Sequence, residues 1–350
     1  MTGTSTTNMP DAELQSPSGS GRARRLIGNA VSEYWIILVL AALVVGFSVL
    51  SPSFATVFNF KNILDDASLL LIMGVGQTYV MISGGIDLSI GSVLVFAGVV
   101  AGKMMGLGAG LGAPGTSNPV LITLALIVGV LSGGAWGALN GALVAFAKIP
   151  PLIVTLGTLG MAFGLAQIIT GGDDLSGVSA TLSNDIGLGT VLGVPILVII
   201  AAVAAIVGGV FLAWSRFGTY TYAIGSNPEA ARRVAIPINR HIIKVYILQG
   251  LLAGLAGILS LLHFTTTTID SHGQDELAVI AGVVLGGTSL FGGYGSIVKT
   301  VVGILIPAVL ASGLVIINVQ PFWQTVVTGA ILILAVYFDQ LKRKTRARGT

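Results

Sequence analysis

Charge is scarce in this chain. Lys, Arg, Asp and Glu make up 9% of its 350 residues, against roughly 25% in an average soluble domain. A soluble fold of this length needs a charged shell facing water, and too few such side chains are present to build one. Cysteine is absent, which excludes a disulfide framework, a thiolate metal site and a thiol nucleophile. Histidine is limited to His241, His263 and His272. No two of them stand at ligand spacing, so no metal site is expected and they read as polar residues at the ends of apolar segments. No Ser-His-Asp set, HExxH motif or pair of catalytic carboxylates is legible. The net charge of +3 is dispersed between and beyond the apolar runs, which argues against nucleic acid as a partner.

What the chain does have is apolar length: 54% hydrophobic residues and 49 glycines. Stretches without any Asp, Glu, Lys or Arg cover 34–60, 67–86, 104–147, 149–172, 186–215, 245–269, 277–298 and 300–338. A membrane helix needs about 20 predominantly apolar residues, so each run holds a span and the longest holds two. The two-residue alternation of a membrane β-barrel is missing. The expected fold is therefore all-α and polytopic, with about ten helices in a lipid bilayer near 34–50, 64–83, 88–106, 119–147, 151–171, 190–214, 244–264, 277–292, 297–317 and 321–339. The fifth, PLIVTLGTLGMAFGLAQIITGG, carries enough glycine and polar residues to suggest a broken or re-entrant helix.

Ten spans place both termini on one side. With that side inside, all of the 17 basic residues except Lys61 and Lys103 fall in cytoplasmic segments, as the positive-inside rule requires. Asp173, Asp174, Asp185, Asp270, Asp275 and Glu276 then fall in outer loops. Residues 1–30 read as a disordered cytoplasmic tail, 31–342 as the transmembrane domain and 343–350 as a basic cytoplasmic tail. The location expected is a bacterial inner membrane.

Three features carry candidate function. The first is the cytoplasmic connection at 215–244, in which Asn227 can cap a short helix opening at Pro228, with Glu229 in its first turn and Arg232 and Arg233 near its end. Ala230 and Ala231 give that helix a small face suited to a shallow groove on a soluble partner. The second is GGIDLSIG at 84–91, where Gly84, Gly85 and Gly91 permit a tight turn and place Asp87 and Ser89 at the junction of two spans. Asp87 reads either as a helix cap or as a gating or contact residue. The third is GGTSLFGG at 286–293, which repeats the glycine pattern through Gly286, Gly287, Gly292 and Gly293 and aligns Gly84 with Gly286.

Three stretches together resemble the sugar-permease family of ATP-binding-cassette importers, of the ribose and xylose type. They are MISGGIDLSIGSVLVFAGVVAG at 81–102, AIGSNPEAARRVAI at 223–236 and ELAVIAGVVLGGTSLFGGYGS at 276–296, in family order, with the resemblance covering about residues 30 to 342. Two positions depart from the family pattern: Ala278 stands where many relatives have an acid, and Ala235 where the loop usually has glycine. The resemblance implies a transport subunit rather than an enzyme, working as a homodimer. It implies a separate ATPase that docks on Asn227–Arg233 and an extracytoplasmic sugar-binding protein. No cofactor belongs to this chain, ATP-Mg residing on the partner.

Two rival classes stay open at this stage. An ion-coupled secondary transporter would place charged residues mid-span, and an intramembrane enzyme would need a nucleophile and base on neighbouring helices. GYGSIVKT at 293–300 comes near a phosphate-binding loop, but Val298 replaces the glycine that wraps phosphate.

Overall fold

The computed structural model describes residues 19–106, 118–176, 178, 180–267, 272 and 275–347. In chain order the elements are α1 (Gly19–Leu50), α2 (Val57–Ile82), α3 (Ile90–Gly106), α4 (Pro119–Ala145), α5 (Pro151–Thr170) and a single turn, α6 (Ala180–Leu182), continued by a π turn. A two-strand hairpin of β1 (Thr190–Val191) and β2 (Val194–Pro195) leads to α7 (Ile196–Trp214). There follow α8 (Arg216–Ser226), α9 (Pro228–Arg233), α10 (Ile238–Phe264), α11 (Asp275–Leu285), α12 (Ile297–Ile316) and α13 (Pro321–Ala347). Local sequence sets the starts. Thr56 accepts from the Asn59 N–H, Asn118 from that of Val120, and Pro119 and Pro151 stand in the first turn of their helices, where a missing N–H costs least.

The all-α membrane architecture is as expected. Helices α2, α4, α5, α7, α10 and α12 are long and apolar enough to cross a bilayer, and shorter apolar stretches lie at Trp35–Leu50, Ile90–Gly106 and Phe322–Tyr337. Residues 19–30 are helical, part of α1, rather than the coil expected of a tail. Residues 190–195 form the hairpin instead of the first turns of a span.

Helix α10 is the central post, packed on α2, α3 and α4. Its seam with α4 follows from sequence. Gly129, Gly133, Gly137 and Gly141 recur every fourth residue and so form one stripe on α4. Gly141 lies on Ile243 and Tyr246, Gly137 on Tyr246 and Ile247, Gly133 on Gly250 and Gly254, and Gly129 on Ile258. Water does not drive helices together inside lipid, so close backbone approach through small residues takes over. A Cβ at Gly133 would come within 2.8 Å of the Gly254 Cα.

The interruption expected in the fifth span is elsewhere. Helix α5 is continuous, stopped only by Gly171 in the left-handed region. The interrupted helices are α3 and α11. Helix α3 runs parallel to α10, with Gly98 against Gly257 and Gly102 against Leu261. Extrapolating that register, Ile90 begins about 16 Å along α10 at 1.5 Å per residue, near mid-depth. Helix α11 has 11 residues, about 16 Å, too short to cross a hydrocarbon core of about 30 Å. Its first turn meets α3 at the same depth. A Cβ on Gly91 would stand 2.6 Å from Glu276 Oε2 and 2.7 Å from the His272 carbonyl oxygen. From there α3 runs to one end of the bundle and α11 to the other, where the 215–237 loop lies.

Candidate functional site

The loop folds as its sequence demands. Asn227 Oδ1 accepts the Ala230 N–H at 3.0 Å, Pro228 opens α9, Glu229 is in the first turn, and Arg232 and Arg233 are in the last. Pro228, Glu229, Ala230, Arg232 and Arg233 are exposed. Ala231 is not: it is 3% exposed, turned inward beneath α9. The small face expected on the outside is thus divided, Ala230 outward and Ala231 inward, because neighbouring residues on a helix point about 100° apart.

Two further basic residues join α9, Lys148 from far along the chain and Arg240 from the first turn of α10. Lys148 and Arg240 line with Arg232 a surface hollow of about 610 Å³ that also includes Phe146, Ile236, Pro237, Ile238 and Asn239. Lys148 Nζ donates to Asn239 Oδ1 at 2.9 Å, fixing one wall. Sequence spacing could not find this group, since Lys148 comes from the connection between α4 and α5.

Ala235 has φ +58°, the left-handed conformation that costs a residue with a Cβ roughly 1–2 kcal/mol. A glycine at this position would adopt the same backbone conformation without that cost. Ala235→Gly is expected to stabilise the protein by about 1 kcal/mol. A thermal midpoint below that of wild type would contradict this account.

The two glycine motifs and the loop meet at one place. Helices α2 and α11 end in the same way. Gly84 N–H bonds to the Met81 carbonyl and Gly85 N–H to that of Val80, and Gly287 and Thr288 make the matching bonds to Val284 and Val283. Both are Schellman caps, with the left-handed residue supplied by Gly84 at φ +85° and Gly287 at φ +84°. The structural register therefore pairs Gly84 with Gly287, one residue off the pairing read from sequence, and Gly286 instead packs on Lys299 and Thr300.

Gly293 N–H then bonds to the Ile82 carbonyl at 2.8 Å. Gly225, at the end of α8, presses on both groups: a Cβ there would overlap the Ile82 oxygen and come 2.6 Å from the Gly293 nitrogen. Gly292 also packs on Gly225 and Gly84, its Cβ position 2.8 Å from the Gly225 oxygen and 3.0 Å from the Gly84 Cα. Tyr222 Oη, one turn back on α8, donates to the Gly295 carbonyl at 2.8 Å. One backbone knot thus ties the ends of α2, α8 and α11, two residues before the Asn227 cap.

Asp87 lies above this knot and is 2% exposed. Its Oδ1 accepts the Ser89 N–H at 2.9 Å and the Ser89 hydroxyl at 2.6 Å. The hydroxyl of Ser89 in turn accepts from Asn140 Nδ2 of α4 at 2.9 Å. Asp87 therefore braces the residue that precedes α3, and α4 is tied to the same brace. The Ile86 carbonyl beside it accepts from Tyr246 of α10 and Thr155 of α5 at 3.3 and 3.4 Å. Gly91 is absent from the knot, facing Glu276 at mid-depth.

Sequence reading missed Glu276. It was placed in an outer loop, yet it is 8% exposed and sits against the start of α3. It also missed a chain in which Ser260 Oγ meets His272 Nε2 at 2.7 Å and His272 Nδ1 meets Asp275 Oδ2 at 2.7 Å. These contacts have the connectivity of a hydrolytic triad. However, Ser260 is 2% exposed near the C-terminal end of α10, closed to a substrate carbonyl, and through His272 it ties α10 to Asp275 in the first turn of α11.

A polytopic helical bundle with interrupted helices tied to an exposed loop helix fits one class: a membrane transport subunit. The chain belongs to the family described as the permease component of branched-chain amino acid transport systems, whose model matches residues 59–336. It is 37% identical over 310 residues to the ribose import permease protein of Escherichia coli (strain K12), covering 88% of this chain and 92% of that protein. It is 35% identical to the D-allose transport system permease protein of the same organism, over 89% and 93% of the two chains. With the L-arabinose ABC transporter permease protein of Azospirillum brasilense it shares 34% identity over 97% and 96%. No solved structure matches. The expected membership of the sugar-permease family is borne out by these relatives.

Proposed function

We propose that this chain is the membrane-spanning subunit of an ATP-binding-cassette importer that moves a monosaccharide or similar small polyol. The observation that carries the reading is the knot of Gly84, Gly225, Gly292 and Gly293, which ties the loop bearing α9 to the ends of α2 and α11. A push on α9 has a short, stiff path to both. Relatives named for ribose, allose and arabinose transport support the substrate class.

In this reading a separate ATPase supplies ATP and Mg, docking on Asn227–Arg233 and on the basic hollow beside it. A sugar-binding protein delivers cargo at the opposite face, and two copies of the chain frame the pathway. The chain lies in a bacterial inner membrane with both termini in the cytoplasm.

Reconstitution tests this. Uptake of labelled D-ribose, D-allose and L-arabinose is expected only with the ATPase, ATP and a matching binding protein present. Uptake by the permease alone, driven by an ion gradient, would replace this reading with a secondary carrier. Orientation has its own test: reporter fusions at Gly172 and Ser226 are expected to score outside and inside respectively, and an outside score at Ser226 rejects it.

A further inference from the structure

The hairpin ahead of α7 takes no part in the coupling path. Its strands pair Thr190 with Pro195 and Val191 with Val194, leaving Leu192 and Gly193 as a two-residue turn. Both turn residues are left-handed, Leu192 at φ +53° and Gly193 at φ +81°. Such a turn favours Asn-Gly or Asp-Gly, because a Cβ is strained at positive φ and a loop tip ordinarily faces water. Leucine meets neither demand, yet its side chain is 100% exposed at the tip. Leu188, Val191 and Val194 around it are exposed too. No Asp, Glu, Lys or Arg occurs from 186 to 215.

Helix α7 fixes where this apolar tip lies. Its 19 residues rise about 28 Å, close to the hydrocarbon thickness of about 30 Å. The hairpin leads straight into it, with the Ile196 N–H bonded to the Gly189 carbonyl at 2.9 Å. The hairpin therefore sits at one boundary of the hydrocarbon core. Trp214, exposed at the end of α7 that leads to α8 and α9, sits at the other, where membrane proteins concentrate Trp. Of the six long apolar helices, α7 is the most apolar and the least buried. Val203, Ile206, Val207 and Val210 recur at helical spacing and are all exposed, so one face of α7 is turned to lipid. Strand β2 packs on this helix, and the exposed apolar surface continues from helix to hairpin.

We propose that the 190–195 hairpin is a bilayer anchor, with Leu192 inserted among the glycerol and upper acyl groups of the leaflet opposite α9. Burial there takes the leucine out of water, which offsets the strain of its backbone. The depth also suits a two-strand ribbon. Its open edges need hydrogen-bond partners, which the headgroup layer supplies and the hydrocarbon core does not. An anchor at this end holds the depth of the helix whose other end carries α8 and α9. A push on α8 then tilts α7 about a held point and does not slide it along the membrane normal. The inference stands on α7 as a span and is independent of the importer reading.

The test uses the full chain carrying Val194→Cys, spin-labelled in nanodiscs of phosphatidylethanolamine and phosphatidylglycerol. The natural sequence has no cysteine, so the nitroxide reports this site alone. Val207→Cys on the lipid-facing side of α7 and the exposed Asp173→Cys beyond α5 are the references. At each site, collision is measured with oxygen, which concentrates in lipid, and with a water-soluble nickel chelate. The oxygen-to-chelate ratio at 194 is expected to exceed that at 173 at least threefold and to approach that at 207. Adding Leu192→Asn, which suits the turn and not the acyl layer, should lower the ratio at 194 at least threefold. A ratio at 194 equal to that at 173 overturns the anchor, because the hairpin would then stand in water. Protection from both reagents also overturns it, by showing that protein, such as a second copy of the chain, covers the tip. A ratio unchanged by Leu192→Asn removes Leu192 as the anchoring residue. The comparison of 194 with 173 and 207 decides the proposal even where the double variant fails to insert.

Discussion

Gly225→Ala is expected to abolish coupled transport, lowering uptake at least a hundredfold. The reason is space, not backbone freedom, for Gly225 lies outside the residues with positive φ. Its Cβ would overlap the Ile82 carbonyl oxygen and come within 2.6 Å of the Gly293 nitrogen, the two atoms that bond each other. Neither is the flexible tip of a side chain, so the added methyl must part α8 from the ends of α2 and α11. Overpacking of this kind typically costs 1–3 kcal/mol. Here that cost falls on the backbone contact where the loop meets the ends of α2 and α11, leaving the far helices in place. The complex should therefore insert and retain basal ATP hydrolysis, while hydrolysis no longer responds to the loaded binding protein. Gly209→Ala is the control, because its Cβ would meet Ile297 at an ordinary 3.9 Å. Coupled uptake by Gly225→Ala within twofold of that control would show that the knot transmits nothing.

Much of this arrangement was legible in the chain, because lipid imposes few solutions. Uncharged length gave the helices, and the proline and asparagine caps gave the starts of α4, α5 and α9. The turn at Gly84 was legible from its paired glycines, whereas the matching turn at Gly287 was read only as an echo of that glycine pattern. Depth was not. Residues 277–292 are uncharged throughout, and the reading of that run as one span did not show that the helix ends at Leu285 while the rest folds back as a loop. Glu276 looked like an outer-loop acid because the depth at which α11 begins leaves no mark on composition. The fifth segment misled in the opposite direction. Its glycines face open space at 157, 160 and 164, and an α-helix tolerates them without breaking. The knot itself joins residues more than a hundred positions apart, and only the fold brings Gly225 to Gly84.

Ala230 and Ala231 separate partner docking from the integrity of the permease. Ala230→Trp is expected to strip the ATPase from the purified complex at least tenfold while the permease keeps its thermal midpoint. Ala230 is exposed on α9, so a large ring there touches nothing in this chain. A partner groove shaped to a small helix face has no room for it, since docking of this kind depends on close contact along one face. Ala231→Trp acts on the permease first. At 3% exposure the ring must lift α9 from the bundle, and the overpacking cost of about 1–3 kcal/mol should lower the thermal midpoint of the isolated permease. Arg233→Ala should be the mildest of the three, because an exposed ion pair contributes about 0–1 kcal/mol. Thermal unfolding of the permease alone and co-purification of the ATPase, measured on all three variants, give the two readouts independently. Full ATPase retention by Ala230→Trp would move the docking face off the Ala230 side of α9 and leave the basic hollow of Lys148, Arg232 and Arg240 as the surface that meets the partner.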